Sequence, residues 1–137
     1  MARINYIEIC GKLYPLSFSL MAQKTLAAKH GSIEELQEKI TNFDEAGIDA
    51  LVDFIEILIK QGCAYKNRFE RDSIFPESAA IVNGEWIPLE REEIMVGIQF
   101  GDLTKIIKEI TGAIMKSSDR EVVAETKEEK NAKPTQE

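Results

Sequence analysis

Positive charge is scarce in this sequence. Its 137 residues carry 17 Lys and Arg against 24 Asp and Glu, a formal net charge of −7. A nucleic-acid binder needs a basic patch to release phosphate counterions, so this balance argues against such a partner. It argues equally against an anionic membrane surface. No stretch reaches the roughly 20 consecutive apolar residues of a membrane span. The opening segment, MARINYIEIC, alternates polar and apolar residues and lacks the unbroken apolar core of a secretory signal. Cysteine is sparse too: Cys10 and Cys63 stand far apart and form no CxxC. The expectation is two reduced thiols in a cytoplasmic protein, with no disulfide framework. The length suits one domain, which can bury roughly two-thirds of its unfolded surface and needs no metal to fold.

Catalytic motifs are lacking as well. There is no GxSxG, HExxH or GxGxxG. Gly11-Lys12 is no phosphate loop, because Tyr6 stands where its first glycine belongs and Leu13 follows the lysine. His30 is the single histidine, and no Cys or acid near it in sequence marks a catalytic partner. A surface or capping role beside a helix C-terminus is expected for it. The expectation is therefore no catalytic residue, no cofactor and no metal site.

What the chain does have is helix-spaced apolar residues. In Ile48–Gln61, at about 100° per residue, Ile48, Leu51, Val52, Ile55, Leu58 and Ile59 share one side, widened by Phe54 and Ile57. A helix apolar around more than half its circumference is covered from several directions. It is expected to be the central helix, opening near Asp44 or Gly47 and stopping at Gly62. Ile55→Asp should then unfold the domain. Asp49, Asp53, Glu56 and Lys60 fall on its narrow polar stripe. The three carboxylates, at spacings of four and three, could hold a hard cation or work as an acid–base pair if a second element supplied ligands. The favoured expectation is a solvated face with Glu56 bridged to Lys60, on which Asp53→Ala is nearly neutral.

Around this helix the chain divides readily. Residues 4–9 alternate as a strand, Cys10-Gly11-Lys12 supplies a turn, and Leu13–Phe18 return. Pro15 lacks an N–H, so that second strand should be an edge or should break there. Ser19 caps a helix to His30, whose looser face is Leu20, Ala22, Leu26 and Ala27, with Gly31 as its stop. Ser32-Ile33-Glu34-Glu35 is a capping box opening a helix with Ile33, Leu36, Ile40 and Phe43 on one face. Residues 63–73 suggest a short helix carrying Tyr65 and Phe69, and Pro76 prevents its continuation. Asn83-Gly84 suits a tight hairpin within 81–87, or a loop tucking Trp86 against the core. Acidic residues from Glu90 start a helix toward Phe100, and Asp102 can cap a last one. That helix carries Leu103, Ile106, Ile107, Ile110, Ala113 and Ile114 on a narrow face.

The expected fold is mostly α with a small N-terminal β-hairpin (4–18), an α+β domain over residues 1–116, followed by a charged disordered tail over 117–137. Five residues are candidates for binding a partner: Trp86, Phe100, Ile106, Ile110 and Ile114. Tryptophan favours interface centres, and an amphipathic helix offers an apolar face to another chain. The competing expectation is that these residues close the core.

The order I-x-Y-I-E-I-x-G-K-x-Y-x-L-x-F over Ile4–Phe18, followed by G-S-I-E-E-L at Gly31–Leu36, resembles tail assembly chaperones of long-tailed phages and prophages of Gram-positive hosts. Ala64-Tyr65-Lys66-Asn67 after the central helix and L-E-R-E-E-I at Leu89–Ile94 are similar too. The resemblance spans about residues 4–116. Members usually carry a small polar residue before the turn glycine, where this chain has Cys10. The resemblance implies a non-enzymatic protein of the host cytoplasm. It would bind the long tape measure protein, keep it soluble while tail tube subunits polymerise, and be absent from the mature virion. It also implies contact with the tail tube protein through a longer frameshifted product. The chain itself is expected to be partner-bound or a homo-oligomer. Two alternatives stand beside it: a phage structural or adaptor protein such as a head–tail connector subunit, and a small metal-dependent enzyme built on Asp49, Asp53 and Glu56.

Overall fold

A computed structural model of the protein describes residues 4–70 and 76–125, with side-chain surroundings up to residue 114. Strands β1 (Asn5–Ile9) and β2 (Lys12–Leu16) pair antiparallel, with Ile9 opposite Lys12. Only two residues, Cys10 and Gly11, join them, and both take positive φ, 52° and 82°. That is the twist a two-residue hairpin needs. Alternation buries Ile7 and Ile9 and leaves Glu8 outside. Pro15 sits opposite Tyr6, and its neighbours on the outward-facing positions, Leu13 and Ser17, send their N–H groups to Ser78 and Leu58. The missing N–H of Pro15 thus falls on the side away from β1, where the ladder needs no donor.

Helices α1 (Leu20–His30) and α2 (Ile33–Asn42) start as expected. Ser19 Oγ accepts the Ala22 N–H, and the Ser32–Glu35 box closes in both directions at 3.1 and 2.7 Å. Gly31 ends α1 at φ 83°. Ala22 and Leu26 are the buried residues of α1, while Leu20 and Ala27 face out.

The central helix α3 (Glu45–Phe69) is much longer than expected. Asp44 caps it by accepting the Gly47 N–H at 2.8 Å. Gly62 does not stop it. A Cβ built at Gly62 would overlap the Pro15 carbonyl, so this glycine lets β2 cross against the helix backbone. The short helix expected over residues 63–73 is the last part of α3 up to Phe69, and residues 71–75 lie outside the described residues. Leu51, Phe54, Ile55, Leu58 and Ile59 are all buried, so the helix is the centre of the core cluster. Burial of each such side chain contributes about 1.5–3 kcal/mol.

Of the two readings of residues 81–87, the hairpin is found: strands β3 (Ile81–Val82) and β4 (Glu85–Trp86) pair, with Asn83 and Gly84 at φ 54° and 82°. Helix α4 (Arg91–Gly97) is shorter than expected and never reaches Phe100. Instead a 3₁₀ turn (Phe100–Asp102) leads into α5 (Leu103–Glu125). Asp102, the residue before α5, caps this turn by accepting the Gln99 N–H. Ile106, Ile110 and Ala113 anchor α5 in the core, and the Asn5 side chain donates to its Glu109 carbonyl. The backbone of α5 passes Ser117 and runs to Glu125, longer than its apolar face predicts. The rest of the charged stretch expected to be disordered, 126–137, lies outside the described residues. No helix among the described residues is long and apolar enough to cross a membrane.

Candidate functional site

Two features stand apart from ordinary core packing. The first is an apolar groove of about 320 Å³ between the N-terminal half of α3, α4 and the 3₁₀ turn. Ile48, Val52, Ile55, Met95, Ile98 and Leu103 are among its walls, and Gln99 is the one polar residue lining it. Phe43 and Phe100 stand together at its mouth, ring centroids 6.2 Å apart and tilted by 59°. Local structure dictates both positions. Phe43 ends α2 in the left-handed conformation at φ 52°, which costs a non-glycine residue about 1–2 kcal/mol. The Asp102 cap holds the 3₁₀ turn that carries Phe100. Phe100 is 81% exposed, and Phe43, Ile48 and Met95 are exposed beside it. Large apolar side chains gathered on a monomer's surface mark an interaction site.

The five sequence candidates do not form one surface. Phe100 lies at the groove. Trp86 is only 4% exposed: its ring packs 5.9 Å from that of Tyr6, and the Asn67 side chain pairs with both its N–H and its carbonyl. It is unavailable as a surface anchor. Ile106 and Ile110 are buried, and Ile114 is half-buried. Ile110 and Ile114 line a separate cleft of about 280 Å³ between α2, α3 and α5. Ile106 backs a larger cavity of about 540 Å³ beside the hairpin, where Glu8, Asp102, Lys105 and Glu109 mix charges of both signs. Periodicity alone had placed Phe43, Ile48 and Met95 on helix faces without marking them as a site. The available signal was the excess of apolar residues around α3, more than its core-facing side requires.

The second feature is an ionic cluster, and it corrects two expectations. His30 is not at the surface: its side chain is 8% exposed and lies 2.9 Å from Asp53 Oδ2. Lys39 Nζ stands 3.1 Å from His30 Nδ1. An ammonium can only donate, so Nδ1 accepts, and the ring proton on Nε2 is donated to Asp53. Asp53, in turn, is no solvated residue. Its side chain is 9% exposed, with Lys29 Nζ at 3.2 Å on one oxygen and Arg91 Nη1 on the other. Arg91 Nη2 also reaches Asp49 at 3.0 Å. Burial pushes the Asp53 carboxyl up, but hydrogen bonds from His30 and Lys29 and the Arg91 charge outweigh it, so the group titrates below its ordinary 3.8. Asp49, its side chain 55% exposed, and Glu56, 3.6 Å from Lys60, keep to the solvated face that the stripe predicts. The carboxylates are therefore engaged by cations from α1 and α4, and the cluster ties those helices to α3. Among the described residues no group of three or more His, Cys, Asp or Glu is placed to hold a metal ion.

Set against family models, characterised proteins and solved structures, the chain matches none.

Proposed function

We propose that the protein is a non-enzymatic tail assembly chaperone. It binds apolar segments of a phage tape measure protein in the host cytoplasm and keeps them soluble while tail tube subunits polymerise. It leaves before the virion matures. A longer frameshifted product engages the tail tube protein, and the chain works bound to its client or as a homo-oligomer. Two things support this: the sequence resemblance over residues 4–116 and the groove. The groove is the observation that carries it. A holdase needs apolar surface that stays open to a client, and Phe43, Ile48, Met95 and Phe100 supply it around walls that are almost wholly apolar. The net charge of −7 keeps such a complex soluble.

The test is co-expression with a tape measure protein. The expected result is a higher soluble yield of that protein and its co-purification with this chain. No gain and no co-purification would sink the proposal. Mass spectrometry of purified virions should find the protein missing; its presence at structural stoichiometry would favour a connector or adaptor role.

A further inference from the structure

The groove also restricts the chemistry of its occupant. None of its lining residues belongs to β1–β4, so no free strand edge is available to pair with an extended peptide. An extended segment laid there would set its amides and carbonyls against one polar side chain, Gln99. A helix satisfies those groups internally and presents side chains at i, i+3, i+4 and i+7 instead.

Several residues close to the lining in sequence are acidic. Asp44, Glu45 and Asp49 flank Phe43 and Ile48, Glu92 precedes Met95 by three, and Asp102 separates Phe100 from Leu103. Asp44 and Asp102 serve as backbone caps, which leaves their charge in place. Glu45 and Glu92 are exposed and make no ion pair among the described residues. The nearby cations are placed elsewhere. Arg91 is held by Asp49 and Asp53, Lys39 by His30, and Lys105 lines the cavity beside the hairpin.

We propose that this groove selects an amphipathic helix whose apolar stripe is flanked by lysine or arginine. The inference rests on the groove being the partner site and adds the class of segment it prefers. Exposed charges near a binding groove set specificity and association rate more than they set total affinity.

The test uses two fluorescein-labelled peptides of about five helical turns. Both carry leucine at i, i+3, i+4 and i+7; one has lysine flanks and the other glutamate. Anisotropy titration of the full chain should show the lysine peptide binding roughly tenfold tighter, the product of about three exposed charge pairs. The preference should shrink as salt rises. The double change Glu45→Lys with Glu92→Lys, on exposed positions outside the core, should reverse the order. Phe100→Asp should abolish binding of the lysine peptide. Equal binding of both peptides that is lost in Phe100→Asp would overturn the charge selection while leaving the groove as the partner site. Binding of neither peptide, or binding indifferent to Phe100→Asp, would overturn the inference outright. The co-expression result decides the chaperone proposal separately.

Discussion

Replacing Asp53 with alanine should cost about 2–3 kcal/mol of stability. Removing one partner of a fully buried pair costs about 3–5 kcal/mol, because the other charge is stranded. Here the stranding is incomplete. Lys29 is 62% exposed and rehydrates, and Arg91, 35% exposed, keeps Asp49. His30 bears the loss: at 8% exposure its Nε2–H is left without its acceptor, a penalty of about 1–3 kcal/mol. Urea denaturation followed by far-ultraviolet circular dichroism reads this directly, and the melting temperature should fall by roughly 8–12 °C. The effect should depend on pH. The folded carboxyl titrates below its ordinary value, so its stabilisation is complete above about pH 4 and is lost as pH falls through the lower folded value. Wild type and variant should therefore converge in acid. A double-mutant cycle with His30→Ala should return a coupling of about 1 kcal/mol or more. An Asp53→Ala protein within about 0.5 kcal/mol of wild type at neutral pH, with no coupling, would refute the buried cluster and restore the solvated stripe.

Other outcomes follow from the same packing. Gly62→Ala, which in an open helix would add up to about 1 kcal/mol, should instead destabilise by about 1–3 kcal/mol, because the added methyl meets the Pro15 backbone; urea titration gives the sign. Ile55→Asp should leave no cooperative transition, since it sets an unpaired charge at the centre of the core; a folded, soluble variant would contradict the placement of α3. Burial pushes the Cys63 thiol up to about 12, so at pH 8 a thiol reagent should label exposed Cys10 promptly and Cys63 only on unfolding, as peptide mapping would show.

Where local physics decides the conformation, the sequence was a sufficient guide. The Cys10-Gly11 and Asn83-Gly84 turns, the Ser19 cap and the Ser32–Glu35 box each depend on residues within a few positions of one another. Each is found as expected. Helix ends decided by distant partners were misjudged. Gly62 looks like a terminator until Pro15 is seen crossing it, and α3 then runs on to Phe69. His30 and Asp53 are 23 residues apart on different helices, so no motif spacing could join them, and Arg91 lies 38 residues further on. The groove was legible only as separate faces. Phe43, Ile48, Met95 and Phe100 come from four segments, and it is the left-handed turn at Phe43 and the 3₁₀ turn after α4 that assemble them.

The groove's role is open to one direct measurement. A photo-crosslinking amino acid can be introduced at Phe100 in the groove and, separately, at Leu20, which is equally exposed (82%) but lies on α1. Each variant is then co-expressed with the tape measure protein. Cross-links from position 100 and none from position 20 are predicted. Cross-links from position 20 alone, or from neither, would contradict the placement of the client in the groove.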